Sequence, residues 1–377
     1  MSRVLELTSE LVARPSVTPD DAGCQRLIVE RLLPLGFDIE WFLCGDVSNV
    51  LITRGIGSPS LWFLGHTDVV PTGPEEMWTF LPFHPDEKDG ELYGRGVADM
   101  KGAVAAMVVA LETFALQHPG HRGQIGLLLT SDEEGEAVDG IVRVVDELKR
   151  CNRRPDYCLV GEPSSQQFLG DTVRIGRRGS IYARLQVNGI QGHTAFPENI
   201  DNPVHRLAPF LDELVKLDWD SGDEEFPASH CQVASIRGGT GAGNVTPANV
   251  ELLANFRNGP ESPAESIRSR FEDLLIEHEI SDFELEWKVM GEPFRSQAGK
   301  LREAVKEAIV SVLNTRPELN TGGGTSDGRF LAPLGTEVLE LGLVNATIHQ
   351  IDERTPIADL DNLYTTYYDI IRRILVQ

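Results

Sequence analysis

Short apolar runs along the chain end at acidic residues or histidines. Four runs share this ending: LWFLG before His66, IGLLLTSD before Glu133 and Glu134, YCLVG before Glu162, and VLELGLVNATI before His349. In an open α/β sheet, ligands bind in the crevice beyond the carboxyl ends of the strands. If the runs are parallel strands, these side chains meet at one edge of one sheet.

The segments between the runs show the 3.6-residue periodicity of helices. The pattern predicts a helix that ends near Ala13, a second helix from about Ala22 to Leu33, and a strand near Val50 to Arg54. The segment KGAVAAMVVALETFALQH, which follows Asp99, is long and apolar enough for a buried helix. This alternation is typical of an α/β fold with a mostly parallel central sheet.

A different pattern begins at Ser180. Strand-like and helix-like segments follow in the order β-α-β-β-α-β, which is the order of a ferredoxin-like α+β unit. The second helix of this unit carries a capping pattern, Ser262 with Glu265 three residues later. The first pattern then returns with a helix from about Lys300 to Leu313 and a last helix that ends at Leu375.

These patterns predict two domains, which also suits a length of 377 residues. Residues 1–177 and 293–377 form the α/β domain, and residues 178–292 form the inserted ferredoxin-like domain. Acidic residues outnumber basic ones, 58 against 34, so nucleic acid and anionic membranes are disfavoured as partners. The five cysteines lack CxxC spacing and the amino terminus lacks a signal-peptide core, so we expect reduced thiols and a cytoplasmic protein.

His66 and Asp68 lie two residues apart, so in a strand both side chains point to the same side. The Asp68 carboxylate is then placed to accept a hydrogen bond from the ring nitrogen of His66 that does not bind metal. Asp99, in the glycine-rich segment GRGVADMKG, is placed to give one oxygen to each of two cations. The alternatives are a surface His beside a turn Asp and, for Asp99, a cap on the following helix.

The acidic run SDEEGE directly follows the predicted strand IGLLLT. Because adjacent residues point in different directions, Glu134 can bind metal while Glu133 faces the attacking water as a general base. Glu162 and His349 repeat the placement after their own runs. The alternative for an acidic run of this kind is a solvated surface.

The candidate ligands outnumber the four of a tetrahedral site. They are His66, Asp99, Glu134, Glu162 and His349. Two cations that share the aspartate would use them all, and imidazole and carboxylate without thiolate favour zinc, with cobalt or manganese as substitutes. Two such ions polarise a carbonyl and lower the pKa of water from about 15.7 to about 7. With Glu133 as the base, the set predicts amide hydrolysis without a covalent enzyme intermediate.

The segment GGGTSDGRF predicts a loop whose backbone N–H groups and hydroxyls, including those of Gly324 and Thr325, bind a substrate carboxylate. A flexible turn is the alternative. GTSDG also matches GxSxG, which would make Ser326 a nucleophile, but GG stands where the nucleophile elbow needs a strand. A serine hydrolase is therefore the weaker hypothesis.

Nearly the whole chain is covered by a series of motifs: GHTDVVP, GRGVADMKG, TSDEEG, LVGEPS, GRRGS, QGHTAFP, GGGTSDGRF and NATIH. In these motifs the chain resembles the M20 metallopeptidases, and most closely the members that act on succinylated diaminopimelate. The resemblance implies a zinc-peptidase-like catalytic domain and hydrolysis of N-succinyl-LL-2,6-diaminopimelate to succinate and LL-2,6-diaminopimelate. It also implies a homodimer formed through the inserted domain.

The same resemblance implies roles for individual residues. It assigns the ligands of two Zn²⁺ ions: His66 and Glu162 to one, Glu134 and His349 to the other, and Asp99 to both. It makes Asp68 the residue that orients His66, Glu133 the general acid/base, and His193 a donor to the oxyanion in the partner subunit's site. Substrate binding is implied for further residues: Arg177, Asn244, Arg257 and Asn345.

Other interpretations stay open. Within the same family they are an acetylornithine deacetylase or an aminoacyl peptidase, and outside enzymes a noncatalytic metal-binding relative, which would have no use for Glu133. His193 is otherwise a surface residue, and each arginine a surface ion pair of little energetic value. Phe196 stands where we expect Tyr in close relatives, so a hydrogen bond from that phenol is missing in this chain.

Overall fold

The computed structural model describes residues 2–376 of the chain. The helices, in chain order, are α1 Arg3–Val12, α2 Cys24–Leu32, α3 Gly102–Gln117, α4 Ile141–Arg150, α5 Pro203–Leu214, α6 Ala264–Glu277, α7 Lys300–Leu313, α8 Gly328–Leu331 and α9 Ile357–Leu375. The helices predicted at the amino terminus, after Asp99, at Lys300 and at the carboxyl end are all present. Among residues 2–376, no helix has both the length and the apolar content that a membrane span requires.

The strands are numbered in chain order in the same way. They are β1 Asp38–Cys44, β2 Val47–Ile56, β3 Ser60–His66, β4 Asp86–Lys88, β5 Glu91–Tyr93, β6 Gly123–Thr130, β7 Tyr157–Val160, β8 Thr172–Arg174, β9 Gly176–Arg177, β10 Gly179–Asn188, β11 His230–Gly238, β12 Asn249–Asn258, β13 Phe283–Gly291, β14 Phe294–Arg295, β15 Glu318–Asn320, β16 Glu337–Glu340 and β17 Arg354–Pro356. Within residues 2–376 the chain forms two compact units, 2–176 with 296–320 and 326–376, and 177–295 with 321–325.

The first unit is built on a sheet with the strand order β1-β2-β6-β3-β7-β16-β8-β15. The neighbours β6, β3, β7 and β16 run parallel, whereas β2 is antiparallel to both of its neighbours, β1 and β6, and β8 is antiparallel to β16. The predicted parallel sheet is therefore confirmed at the centre, and the sheet as a whole is mixed. Every residue of β3 is buried, as expected for a strand covered on both faces.

Helix α3 is buried on all sides except near its carboxyl end. It packs against α1 and α9 and forms the middle of the apolar core of the first unit. This packing explains why its sequence is apolar all round rather than amphipathic. The core fixes the carboxyl ends of β3, β6 and β7 at one edge of the sheet.

The second unit has an antiparallel sheet with the strand order β11-β12-β10-β13. Helices α5 and α6 pack with the inward-facing residues of these strands in one apolar core. The chain order β-α-β-β-α-β confirms the ferredoxin-like prediction. The predicted cap of α6 is wrong: Pro263 is the residue that precedes the helix, and the Ser262 hydroxyl donates to the Asp220 carboxylate at 2.6 Å instead.

Candidate active site

Three of the predicted ligands follow neighbouring parallel strands. His66 is the last residue of β3, Glu134 follows β6, and Glu162 follows β7. Because β3 lies between β6 and β7, the three carboxyl ends are adjacent and the side chains converge. His66 is 1% exposed, and its Nε2 lies 3.7 Å from Glu162 Oε1.

His349 reaches the same place by another route. The prediction that a strand leads directly to it is wrong, because β16 ends at Glu340 and His349 lies in a turn with φ of 60°. Its Nε2 is nevertheless 2.9 Å from Glu134 Oε1 and 3.3 Å from Asp99 Oδ2. The turn therefore brings the second predicted imidazole to the acidic cluster.

Asp99 lies between the two imidazoles. Its Oδ1 is 3.2 Å from His66 Nε2, and its Oδ2 faces His349. The alternative role as a helix cap is not adopted, since the cap position of α3 is Lys101 and no side chain caps the helix. Each oxygen of Asp99 therefore faces a different histidine, as required of a carboxylate that gives one oxygen to each of two cations.

The donor atoms form two overlapping groups. The ligand atoms of His66, Glu133 and Glu162 all lie within 4.8 Å of one another, and so do those of His66, Asp99 and Glu134. Imidazole nitrogens and carboxylate oxygens at this spacing fit divalent zinc, cobalt or manganese. The concentration of carboxylates also needs positive charge to offset their mutual repulsion.

The ionisation of the site reflects this demand for positive charge. Hydrogen bonds to Asp99 and Glu134 raise the pKa of His349 from 6.5 to about 10. Burial lowers the pKa of His66, but the hydrogen bond to Asp99 and the charge of Asp68 outweigh it and raise the pKa well above its ordinary value. Without a cation, protons on the two imidazoles supply the positive charge that offsets the carboxylates. Bound cations would supply the same positive charge, so the donor set fits a metal centre.

Glu133 belongs to the first of these groups, with a carboxylate oxygen within 4.8 Å of the ligand atoms of His66 and Glu162. Burial raises its pKa well above the ordinary value, and the negative charges of Asp327 and Glu134 add to the effect of burial. Burial and the charge of Glu133 likewise raise the pKa of Glu162. A carboxyl that holds a proton readily suits the predicted acid/base role of Glu133.

The predicted hydrogen bond from His66 to the Asp68 carboxylate is wrong in its acceptor. His66 Nδ1 lies 2.9 Å from the backbone carbonyl oxygen of Asp68, whereas the nearest carboxylate oxygen is 3.7 Å away. The carboxylate instead accepts from the backbone N–H groups of Glu133 and Glu134, at 3.4 and 3.1 Å. Asp68 therefore orients His66 through its backbone and the Glu133–Glu134 pair through its side chain.

Most of the other predicted site residues belong to the second unit. His193 and Asn244 lie on adjacent segments, with His193 Nε2 3.5 Å from Asn244 Nδ2, and the Phe196 ring packs edge-on against the imidazole. Arg177 donates to the Gly322 carbonyl oxygen at 3.0 Å, which places it beside the loop of Gly324 and Thr325.

Two predicted substrate-binding residues have separate surroundings. Arg257, on β12, lies opposite Ser180 and His230 of the neighbouring strands. Asn345 belongs to the first unit, where its backbone N–H donates to the Ser165 carbonyl oxygen at 3.0 Å.

The nucleophile hypothesis for Ser326 finds no support in its contacts. The side chain is buried and its hydroxyl donates to Glu340 rather than to an imidazole. The next residue, Asp327, is also buried, and neither of its carboxylate oxygens accepts a hydrogen bond from residues 2–376. Burial raises the pKa of Asp327 to about 6, and the guanidinium of Arg329, 3.7 Å away, opposes the effect.

Sequence reasoning missed Glu353. This residue is 1% exposed and accepts hydrogen bonds from the loop that carries Asp99. The only available signal was its position four residues after His349, in HQIDE. No local pattern indicates that a residue so far along the chain contacts the GRGVAD segment.

The chain is similar to known proteins along its whole length. A family model described as peptidase family M20/M25/M40 matches residues 62–373. The chain is 51% identical over 375 residues to the succinyl-diaminopimelate desuccinylase of Methylococcus capsulatus, covering 100% of this chain and 99% of that protein. It is 50% identical over 375 residues to the desuccinylase of the same name from Halorhodospira halophila, again covering 100% and 99%.

Solved structures share the fold at lower identity. An M20 family metallo-carboxypeptidase from Sulfolobus solfataricus superposes with a TM-score of 0.81 at 17% identity, covering 99% of each chain. A Bacillus subtilis protein described as a dinuclear metal-binding peptidase of the M20 family superposes with a TM-score of 0.70 at 14% identity, covering 98% of this chain and 97% of that one. At these identities the likeness concerns the fold alone.

Proposed function

The chain belongs to peptidase family M20/M25/M40, and we propose on this basis that it is a metal-dependent amidohydrolase that cleaves N-succinyl-LL-2,6-diaminopimelate to succinate and LL-2,6-diaminopimelate. Relatives named succinyl-diaminopimelate desuccinylase, about half identical over the whole chain, support this substrate. The observation that carries the chemistry is the position of Asp99 between His66 and His349, with one oxygen facing each.

Two Zn²⁺ ions are proposed as the resident metals, with cobalt or manganese as substitutes. The ligands would be His66 and Glu162 for one, Glu134 and His349 for the other, and Asp99 for both. When bound, such cations polarise an amide carbonyl and lower the pKa of water. The donor types and the raised pKa values of both imidazoles support this assignment.

The protein's own contribution to the reaction is proton transfer by Glu133. Its carboxylate takes a proton from the attacking water and later gives it to the leaving nitrogen. The backbone N–H of Glu133 is held by the Asp68 carboxylate, which fixes the dipeptide Glu133–Glu134 relative to His66. Asp68 therefore acts on the reaction by positioning.

Substrate carboxylates are proposed to bind Arg177, Arg257, Asn345 and the loop of Gly324 and Thr325. A guanidinium holds a carboxylate through parallel hydrogen bonds, which suits an anionic substrate on a protein with a net charge of -24. We further propose a cytoplasmic homodimer formed through the second unit. In this assembly His193 and Asn244 of one subunit complete the site of the other, with His193 as a donor to the oxyanion.

The deciding experiment compares two substrates on metal-free and Zn²⁺-loaded protein. We expect succinate release from N-succinyl-LL-2,6-diaminopimelate, loss of activity with a chelator, recovery with Zn²⁺, and little hydrolysis of N-acetylornithine. Faster hydrolysis of N-acetylornithine would instead identify a different M20 deacylase. Stable metal binding without hydrolysis of either compound would point to a noncatalytic relative.

A further inference from the structure

A buried carboxylate that the reaction does not use lies under the metal-binding loop. Glu353 Oε2 accepts from Arg95 Nη1 at 2.8 Å and from the backbone N–H of Gly96 at 2.9 Å. Its Oε1 accepts from the N–H groups of Ala98 and Asp99 at 2.9 and 3.1 Å. The loop thus wraps its backbone N–H groups around one carboxylate, and the last of them belongs to Asp99 itself.

The loop adopts this path because of its glycines and of Arg95. Gly96 has φ of 81°, and a Cβ there would lie 2.4 Å from a methyl carbon of Val69, so only glycine fits. Arg95 is 2% exposed and its guanidinium lies over the Trp78 ring, 5.1 Å from the centroid. The hydrogen bonds that the loop donates to the Glu353 carboxylate are charge-assisted. Such bonds are about twice as strong as neutral ones, so the loop is tightly held.

The same carboxylate is firmly connected to His349. The turn that contains both residues is closed by Thr347, whose hydroxyl donates to the Arg354 carbonyl oxygen at 2.9 Å and accepts from the Arg354 N–H at 3.1 Å. Asp352, next to Glu353, accepts from the N–H and the hydroxyl of Thr79, both at 2.7 Å. The position of His349 therefore follows that of Glu353.

We propose that Glu353 is a positioning residue that sets the separation of Asp99 and His349, and thereby the affinity of the second cation. This inference rests on the two-cation centre proposed above. His66 and Glu162, on their own strand ends, do not depend on the turn that carries Glu353. Removing the Glu353 carboxylate should therefore weaken the cation bound by His349 and Glu134 more than the cation bound by His66 and Glu162.

The test is a titration of metal-free protein with Zn²⁺ by calorimetry, and with Co²⁺ by visible absorption. In Glu353→Gln the amide nitrogen would face N–H donors of the loop. We expect the second equivalent to bind about 10–100-fold more weakly, as for other groups that hold metal ligands in place, with a smaller change in the first. Glu353→Asp keeps the charge on a shorter side chain and should fall between Glu353→Gln and the wild type.

A matched control is available at the opposite edge of the sheet. Glu337, at the start of β16, accepts from the N–H groups of Leu301 and Arg302 at 3.1 and 2.8 Å, so Glu337→Gln removes a similar charge away from the ligands. We expect its two affinities to match the wild type.

The outcomes separate this inference from the proposed function. Unchanged affinities in Glu353→Gln, or equal weakening of both equivalents, would overturn the role of Glu353. If Glu353→Gln does not fold, the same comparison in Glu353→Asp decides. A wild-type protein that binds a single equivalent would contradict the two-cation centre itself, whatever the variants do.

Discussion

Glu133 and Glu134 are neighbours with different proposed tasks, and the difference is testable. Glu133→Gln removes the base while leaving the proposed ligands in place. We expect the variant to bind both metal equivalents and to lose about 10²–10⁴-fold in kcat, the usual contribution of a general acid/base. Succinate release and metal content measured on the same sample check this.

The control for that variant is Glu136→Gln. Glu136 is exposed and belongs to the same acidic run, but it is absent from the groups of possible ligands among residues 2–376. Its substitution should leave kcat within about twofold, since surface changes away from a site have small effects. Full activity in Glu133→Gln would remove the proposed mechanism.

The imidazoles predict a pH dependence of metal binding. Because the pKa of His349 is raised from 6.5 to about 10 when no cation is bound, His349 is protonated at neutral pH and must lose its proton to bind metal. The apparent affinity of the second equivalent should therefore fall as the pH falls below about 10, by about tenfold per unit for one proton released.

Calorimetry in two buffers with different ionisation enthalpies measures this proton release directly. The difference in observed heat between the buffers should correspond to protons leaving the protein on binding. Heats that are the same in both buffers would mean that no proton is displaced, and that His349 is neutral before the cation arrives.

For single residues, the sequence was enough to predict which side chains meet at the site, but it did not predict all of their hydrogen-bond partners. The convergence of His66, Glu134 and Glu162 follows from the shared direction of parallel strands, so sequence was sufficient to predict it. The acceptor for His66 was wrong because the chain leaves the strand at His66, so that the alternation of side chains no longer applies at Asp68. Glu353 was missed because its partners lie more than 250 positions away in sequence.

At the scale of elements, α1, α2 and α3 are joined by one buried acidic residue. Glu112 of α3, whose side chain is 6% exposed, receives hydrogen bonds from Arg31 at 2.8 and 3.2 Å and a further one from Arg3. Removing both arginines leaves the buried carboxylate of Glu112 without an ion-pair partner. Removing the glutamate leaves arginines whose side chains are 53% and 26% exposed and can be hydrated.

We therefore expect the loss of both arginines to destabilise the fold more than the loss of the glutamate. Arg3→Ala with Arg31→Ala should destabilise the fold by about 3 kcal/mol, and Glu112→Gln by about 1 kcal/mol. Urea unfolding of the variants measures both costs. Arg26→Ala is the control, because Arg26 pairs with Glu30 at 3.1 Å and both side chains are exposed. A larger loss in Glu112→Gln than in the double variant would contradict the burial argument.

Buried helices and strands could be predicted from the sequence more readily than exposed ones. The wholly buried β3 and α3 are apolar runs of different lengths, and length alone separates strand from helix. β1 was not anticipated, because none of its residues is fully buried and its sequence shows no clear apolar face. With β1 unseen, the β1–β2 hairpin that makes β2 antiparallel to β6 could not be predicted, and the sheet was expected to be more parallel than it is.

At the scale of the molecule, the residues proposed to act in the reaction are distributed over both units. His66, Asp99 and Glu133 belong to the first unit, whereas His193 and Asn244 belong to the second. Within the second unit, backbone contacts join the segments that carry this pair: Thr194 N–H donates to the Asn244 carbonyl oxygen at 3.1 Å, and His193 forms a bridge with Val245. The sequence of one chain does not show how two subunits assemble. Whether His193 and Asn244 act in the partner subunit's site must therefore be tested by mixing subunits.

Subunit mixing tests whether His193 acts in the partner's site. Glu133→Gln and His193→Ala should each be inactive alone, but a hybrid dimer combines an intact Glu133 from one subunit with an intact His193 from the other. Equal mixing of symmetric dimers makes half of them hybrids with one working site each, so activity should recover to about a quarter of the wild type. Mixing Glu133→Gln with His66→Ala provides the control, because both changes then lie in the same unit and no complete site can form. If labelled subunits exchange and activity stays absent, or if the control recovers equally, His193 does not act across the dimer.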